Sequence, residues 1–211
     1  MRLKMKKTIS QATIDRLPLY FRTLRLVEEE MQIISSDELG RRLDITPEQI
    51  RKDLATFGQF GRKGVGYDVH ELKERISNIL GLQNHWRLAI VGVGHLGGAL
   101  ANYVNFASLG FSVVALFDKN KDIVGTSING IKVNNISLMK RVIKSQKVDI
   151  GVISVPAENA QSVADMLVIA GVKGIWNFAP TKLSVPPTIP LVNEDLSIGL
   201  SALSYHMSQE L

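Results

Sequence analysis

Residues 90–106 read IVGVGHLGGALANYVNF, and no other stretch restricts the fold of this chain as strongly. A short apolar run, Ala89 to Val91, enters Gly92-x-Gly94-x-x-Gly97 and then a helical pattern. Gly92 permits a tight strand-to-helix turn, Gly94 leaves the backbone bare where an anion must approach, and Gly97 lets the helix lie close on the strand. The free N–H groups and positive dipole end of the helix then face a pyrophosphate. This reading assigns Gly92, Val93, Gly94, His95, Leu96 and Gly97 to the phosphate-binding turn of a βαβ unit.

A glycine motif alone is weak evidence, but the next strand, FSVVALFD, ends in Asp118, 21 residues past Gly97. An acidic group near that distance binds the adenosine ribose hydroxyls. Its charge would repel a 2′-phosphate, so NAD(H) is expected over NADP(H). The alternation continues through helical ISLMKRVIKSQ, strand DIGVISVP, helix ENAQSVADMLVIAG and strand VKGIWNFAP. Strands alternating with amphipathic helices predict a doubly wound parallel sheet covered on both faces. Ligands bind at the carboxyl ends of such strands. That nominates Val155, Pro156, Asn177, Phe178 and Ala179 as lining for the rest of the dinucleotide, although Pro156 and Pro180 serve equally as strand terminators. The chain closes with NEDLSIGLSALSYHMSQEL, where Leu196, Leu200, Leu203 and Met207 form one apolar helical stripe. The stripe folds back on its own domain or docks on another chain, and periodicity does not separate the two.

The first 83 residues have a different rhythm. Leu17, Tyr20, Phe21, Leu24 and Val27 recur at helical spacing. Ser35 with Glu38, and Thr46 with Gln49, are capping-box pairs, and Pro47 suits the first position of the second helix. Ile50, Leu54 and Phe57 point inward, and Gly58 ends the helix. A leading helix followed by two short helices around a tight turn predicts a helix-turn-helix. The second helix then carries Arg51, Lys52, Ala55 and Thr56 outward, with Pro47 and Gln49 at its start, suited to the major groove of duplex DNA. After it, Gly61, Gly64 and Gly66 permit a hairpin presenting Arg62 and Lys63 to phosphates, a wing.

The formal charge of +5 on 211 residues permits an anionic partner without demanding one. The absence of cysteine excludes disulfides, thiolate catalysis and Cys-based metal sites. MRLKMKKTIS lacks the apolar core of a signal peptide, and no apolar run approaches the ~20 residues that span a bilayer. A cytoplasmic protein is expected. His70, His85, His95 and His206 pair with no carboxylate at a catalytic spacing, and no Ser-His-Asp set, H-E-x-x-H or P-loop occurs. No catalytic residue and no metal ligand are assigned. Two other readings stay open at this level: a small NAD-dependent oxidoreductase with a helical accessory domain, and a CoA- or nucleotide-binding module.

RKDLATFGQFGRKGVGYDV, VGVGHLGGALANY, VPAENAQSVADMLVIAGVKGIWNFAP and NEDLSIGLSALSY, in that order, resemble the Rex family of redox-sensing transcriptional repressors over nearly the whole chain. The resemblance implies a homodimer that binds inverted-repeat operator DNA, senses the NADH/NAD⁺ ratio and is released by NADH. It also implies that the terminal helix is exchanged between subunits. Three positions carry over: Arg22 on the first helix, Tyr103 near the nicotinamide, and Asp195 at the terminal helix. In the family picture Asp195 pairs with Arg22 in the DNA-competent state and turns toward Tyr103 when NADH closes the dimer. Leu196 departs from the aromatic residue that often follows the aspartate, and Ala55-Thr56 varies beside RKDL. The expected organisation is a winged helix-turn-helix DNA-binding domain over 1–83, a Rossmann-like NAD(H)-binding domain over 84–192 and a dimerisation helix over 193–211.

Overall fold

The computed structural model describes residues 9–62 and 64–208. Backbone contacts divide the chain into two compact units, residues 1–83 and 84–211.

In the first unit, α1 (Gln11–Val27) starts at Ser10, whose hydroxyl accepts from the Thr13 N–H. It buries Leu17, Tyr20, Phe21, Leu24 and Val27, the stripe visible in the sequence. After β1 (Ile33–Ile34), α2 (Ser36–Leu43) begins at Ser35 and α3 (Pro47–Phe57) at Thr46; each cap accepts from the N–H three residues on. Such a cap is worth about 1 kcal/mol. The reciprocal half of each capping box is absent. Glu38 turns instead to Arg41 and Arg42, and Gln49 donates to Asp53. Charged partners one turn away make stronger hydrogen bonds than the cap N–H would. β2 (Tyr67–Asp68) pairs antiparallel with β1. Before it, a bridge between Arg62 and Gly66 closes a tight loop in which Gly61, Gly64 and Gly66 all have positive φ. α4 (Val69–Leu80), capped by Asp68, packs against α1 with Leu72 and Ile76 buried. The unit is a winged helix-turn-helix.

In the second unit, β3 (Trp86–Val91) sends Leu88 and Ile90 to one core and Ala89 and Val91 to the other. Both faces are covered, which is the environment of a parallel sheet. The chain continues through α5 (His95–Ala101), α6 (Asn105–Ser108), β4 (Phe111–Asp118), β5 (Ser127–Ile128), β6 (Ile131–Asn135), α7 (Met139–Ser145) and β7 (Ile150–Ile153). It ends with α8 (Ala157–Ala170), β8 (Gly174–Asn177), β9 (Leu191–Asn193) and α9 (Leu196–Ser208). The strands order as β5-β6-β4-β3-β7-β8-β9, parallel except for the β5–β6 hairpin. The six parallel strands thus have the Rossmann order, with the chain reversing direction across the sheet between β3 and β7. One core packs α7 and α8 on the sheet, and the other lies under α5 and α6. α9 is exposed along all its described length. Among the described residues no helix is long and apolar enough to cross a membrane, and no group of three His, Cys, Asp or Glu could hold a metal ion.

Candidate functional site

The first unit offers its surface on α3 and the loop before β2. Arg51, Lys52 and Ala55 are exposed and Thr56 is half-buried, on the side away from Ile50 and Leu54. Arg51 is steadied by a hydrogen bond from Nη1 to the Ser36 hydroxyl (2.8 Å), and the Thr56 hydroxyl turns back to the Lys52 carbonyl (3.0 Å). Arg62 is exposed on the wing loop, and Lys63 lies outside the described residues. Together Ser36, Arg51, Ala55, Arg62 and Val65 line a concave surface between helix and wing. Pro47 occupies the first turn of α3 as the sequence predicts. Gln49 leans inward rather than toward this surface.

Gln49 belongs to a buried network that sequence reasoning missed. The Asp53 carboxylate, 1% exposed, accepts from Arg16 Nε (2.6 Å) and Nη2 (2.8 Å), Tyr20 Oη (2.7 Å), Thr13 Oγ1 (3.1 Å) and Gln49 Nε2 (2.8 Å). Burial alone would push this carboxyl up; the hydrogen bonds from Arg16, Tyr20, Gln49 and Thr13 outweigh burial and hold it at about 2. Burial, then the bond to Asp53, pushes the Tyr20 phenol up, so it stays a donor. α3 is thereby bolted to α1 on the face opposite Arg51 and Lys52. Arg22, also on α1, is exposed.

The second unit has a cleft of about 240 Å³ at the β3–β7 reversal, lined by Gly92, Gly94, Asp118, Lys119, Ser154, Val155, Pro156 and one side of α8 from Asn159 to Met166. Three glycines shape it differently. A Cβ on Gly97 would lie 1.9 Å from the Gly92 carbonyl oxygen, and one on Gly92 2.6 Å from the Ser154 oxygen, so both are needed for close packing. A Cβ on Gly94 would meet nothing within 4 Å. It would project into the space that a ligand needs, and this is the cradle a pyrophosphate fits. Asp118 is fixed beside it: Oδ2 accepts from Val93 N (2.9 Å) and Oδ1 from Asn120 N (2.8 Å). Each oxygen retains a lone pair for ribose hydroxyls. His95 is exposed and Leu96 half-buried at the start of α5.

The other nominated residues lie outside the walls of this cleft. Asn177 is fully buried, and its amide is spent within the fold: Nδ2 donates to Ala179 O, Thr181 O and Asn193 Oδ1, and Oδ1 accepts from Ala179 N. Ala179 is buried, and Phe178 packs against Trp176 with ring centroids 4.5 Å apart and planes tilted by 58°. An aromatic series then runs from Trp176 through Phe106 to Tyr103, which is half exposed. The Trp176 indole donates to Glu194 (3.1 Å), next to Asp195. Asp195 Oδ1 accepts from the N–H (2.8 Å) and hydroxyl (2.6 Å) of Ser197, which together pull its carboxyl below the usual range and cap α9.

Comparison with known proteins agrees with this two-part organisation. A family model described as a putative DNA-binding protein N-terminus matches residues 8–55, and one described as a CoA binding domain matches residues 83–181. The chain is 46% identical over 202 residues to the redox-sensing transcriptional repressor Rex of Syntrophobacter fumaroxidans, covering 95% of this chain and 96% of that protein. It is 47% identical over 200 residues to the Rex repressor of Clostridium botulinum, covering 94% and 95%. Among solved structures it is similar to RSP, a Rex-family repressor. The complex of RSP with β-NAD⁺ and operator DNA aligns with a TM-score of 0.91 and 41% identity, covering 97% of this chain and 94% of that one. The complex with β-NADH gives 0.88 and 41%, covering 97% of each.

Proposed function

Since the chain belongs to the Rex family of redox-sensing transcriptional repressors, we propose that it represses transcription by binding operator DNA and reports the redox state of the NAD(H) pool. The observation that carries this reading is the likeness, over nearly all of both chains, to a repressor solved with operator DNA and with both forms of the cofactor. Its close relatives are repressors, not enzymes. α3 enters the major groove with Arg51 and Lys52 on bases or phosphates, and Arg62 with Lys63 presses on the backbone. Such a protein acts in the cytoplasm, where the DNA and the NAD(H) pool meet.

In the second unit the open backbone at Gly94 and the start of α5 take the pyrophosphate, and Asp118 takes the ribose hydroxyls. The same carboxylate disfavours a phosphorylated ribose, whether that of NADP(H) or of CoA. The cofactor supplies the signal: NAD⁺ carries a positive charge on the nicotinamide that NADH lacks. Tyr103 and Asp195 are the groups proposed to sense it, with Asp195 exchanging between Arg22 and the cofactor side. α9 exposes Leu196, Leu200, Leu203 and Met207 by between 54% and 70%. A second copy of the chain covers this apolar helix in the proposed homodimer, and the pair reads an inverted repeat. Driving such a switch from 1:99 to 99:1 takes about 5.5 kcal/mol of differential affinity. Two cofactors and a rearranged dimer interface share that requirement, so a single ion pair need not meet it.

The test is selection of operator sites from random duplexes by the full chain with NAD⁺, followed by a challenge with NADH. The expected result is an inverted repeat that NADH releases. A recovered site indifferent to NADH would refute the coupling.

A further inference from the structure

The residue after Asp118 is a lysine, and the two stand side by side on one wall of the dinucleotide cleft. Lys119 is exposed, and its Nζ reaches across to Asn159 Oδ1 on α8 at 3.4 Å. That distance exceeds the usual 2.7–3.2 Å of a good hydrogen bond, so little holds the ammonium to the amide. Among the described residues Lys119 forms no ion pair. The other wall residues named above, Gly92, Gly94, Ser154, Val155 and Pro156, are neutral. Asp118, by contrast, is pinned by the N–H groups of Val93 and Asn120 and cannot turn away.

The adenosine end of the cleft therefore presents a fixed anion and, one residue away, a cation with a long, loosely held stem. A 2′-phosphate on the ribose meets both. The fixed carboxylate repels it, and the ammonium can leave Asn159 and follow it as a compact charge with three donors. A ribose with a free 2′-hydroxyl satisfies Asp118 and offers Lys119 no anion.

We propose that Lys119 is a latent 2′-phosphate site, able to hold a phosphorylated ribose once the charge on Asp118 is removed. Asp118 alone excludes NADP(H), and loss of its charge is enough to convert the cleft to accept a phosphorylated adenosine. This rests on the reading that the cleft binds the adenosine half of NAD(H).

The test measures binding of NADH, NADPH, 5′-ADP and 2′,5′-ADP to the full chain and to Asp118→Asn, Lys119→Ala and the double variant, by titration calorimetry. Asp118→Asn should gain at least tenfold in affinity for NADPH and 2′,5′-ADP. Adding Lys119→Ala should remove about tenfold, as expected for loss of one charge-assisted hydrogen bond to phosphate. In the Asp118→Asn background, Lys119→Ala should weaken 2′,5′-ADP by more than it weakens 5′-ADP. The proposal is overturned if the double variant binds 2′,5′-ADP as well as Asp118→Asn does. It is equally overturned if Lys119→Ala weakens phosphorylated and unphosphorylated ligands alike, or if Asp118→Asn gains nothing. Failure of the native chain to bind NADH or 5′-ADP at all would remove the underlying reading instead.

Discussion

Asp53→Asn isolates the contribution of the buried network behind α3. Asparagine has nearly the shape of aspartate but one acceptor oxygen in place of two, and no charge. In the native chain Oδ2 accepts from Arg16 Nε and Tyr20 Oη, and Oδ1 from Arg16 Nη2, Thr13 Oγ1 and Gln49 Nε2. Whichever oxygen becomes an amide nitrogen, at least one Arg16 N–H faces another donor, since guanidinium cannot accept as the hydroxyls can. Leaving a buried donor unsatisfied costs about 1–3 kcal/mol. Arg16 also loses its counter-charge, and removing one partner of a buried pair costs about 3–5 kcal/mol. These overlap, and Arg16 keeps 24% of its side chain in solvent, so the expected loss lies at the low end, about 3 kcal/mol.

The pH dependence follows from the sign of the shift. The folded carboxyl at about 2 lies below its ordinary value of 3.8. Its contribution is therefore complete above that ordinary value and disappears as pH falls through about 2; the displacement corresponds to about 2 kcal/mol. Guanidinium unfolding of the full chain, followed by far-UV circular dichroism, measures both quantities. The gap between native and variant should be about 3 kcal/mol near neutral pH and narrow steadily below about pH 4. A gap under about 1 kcal/mol, or one that stays constant into acid, would refute the argument that the charge on Asp53 holds the helices together.

Gly94→Ala and Gly97→Ala make a contrasting pair. The first should leave the melting temperature within a degree or two and weaken NADH binding at least tenfold; the second should lower both, because its Cβ would lie 1.9 Å from the Gly92 oxygen. Calorimetric melting and NADH titration separate them. Arg51→Ala and Lys52→Ala should each cut operator affinity while leaving NADH affinity unchanged, read by fluorescence anisotropy with labelled duplex; equal losses in both assays would indicate damaged folding. Asp195→Ala should weaken NADH-induced release from operator, and unimpaired release would remove Asp195 from the switch.

What could be read from the sequence was local. Thr46 with Pro47 places the start of α3, the stripe from Leu17 to Val27 places the buried face of α1, and Gly92 to Gly97 with Asp118 places the cleft within two adjoining strands. Each is a short-range pattern whose physics acts within a few residues. Asp53 was hidden because it follows Arg51 and Lys52 in RKDL and looks solvated; the partners that mark it as buried, Arg16 and Tyr20 among them, lie more than thirty residues earlier. Lys119 and Asn159 likewise come together from positions 40 residues apart, though only loosely. The β5–β6 hairpin had a usable signal, since Asn129-Gly130 is a favoured two-residue turn, and both have positive φ. β9 had little: three residues after a proline-rich approach, held mainly by pairing to β8. Asn177 was visible as a loop residue at a strand end, but not that four hydrogen bonds would turn its amide inward.

The open backbone at Gly94 has one more consequence on the proposed reading. Gly92, Gly94, Gly97 and Asp118 all act on the adenosine diphosphate half of the dinucleotide, which is identical before and after reduction. Oxidised and reduced cofactor therefore exclude one another from a single seat. Once the pool is large enough to keep that seat filled, enlarging it further alters nothing, and only its division between the two forms changes what the protein does. A grip that ignores the nicotinamide makes the sensor blind to how much cofactor a cell contains.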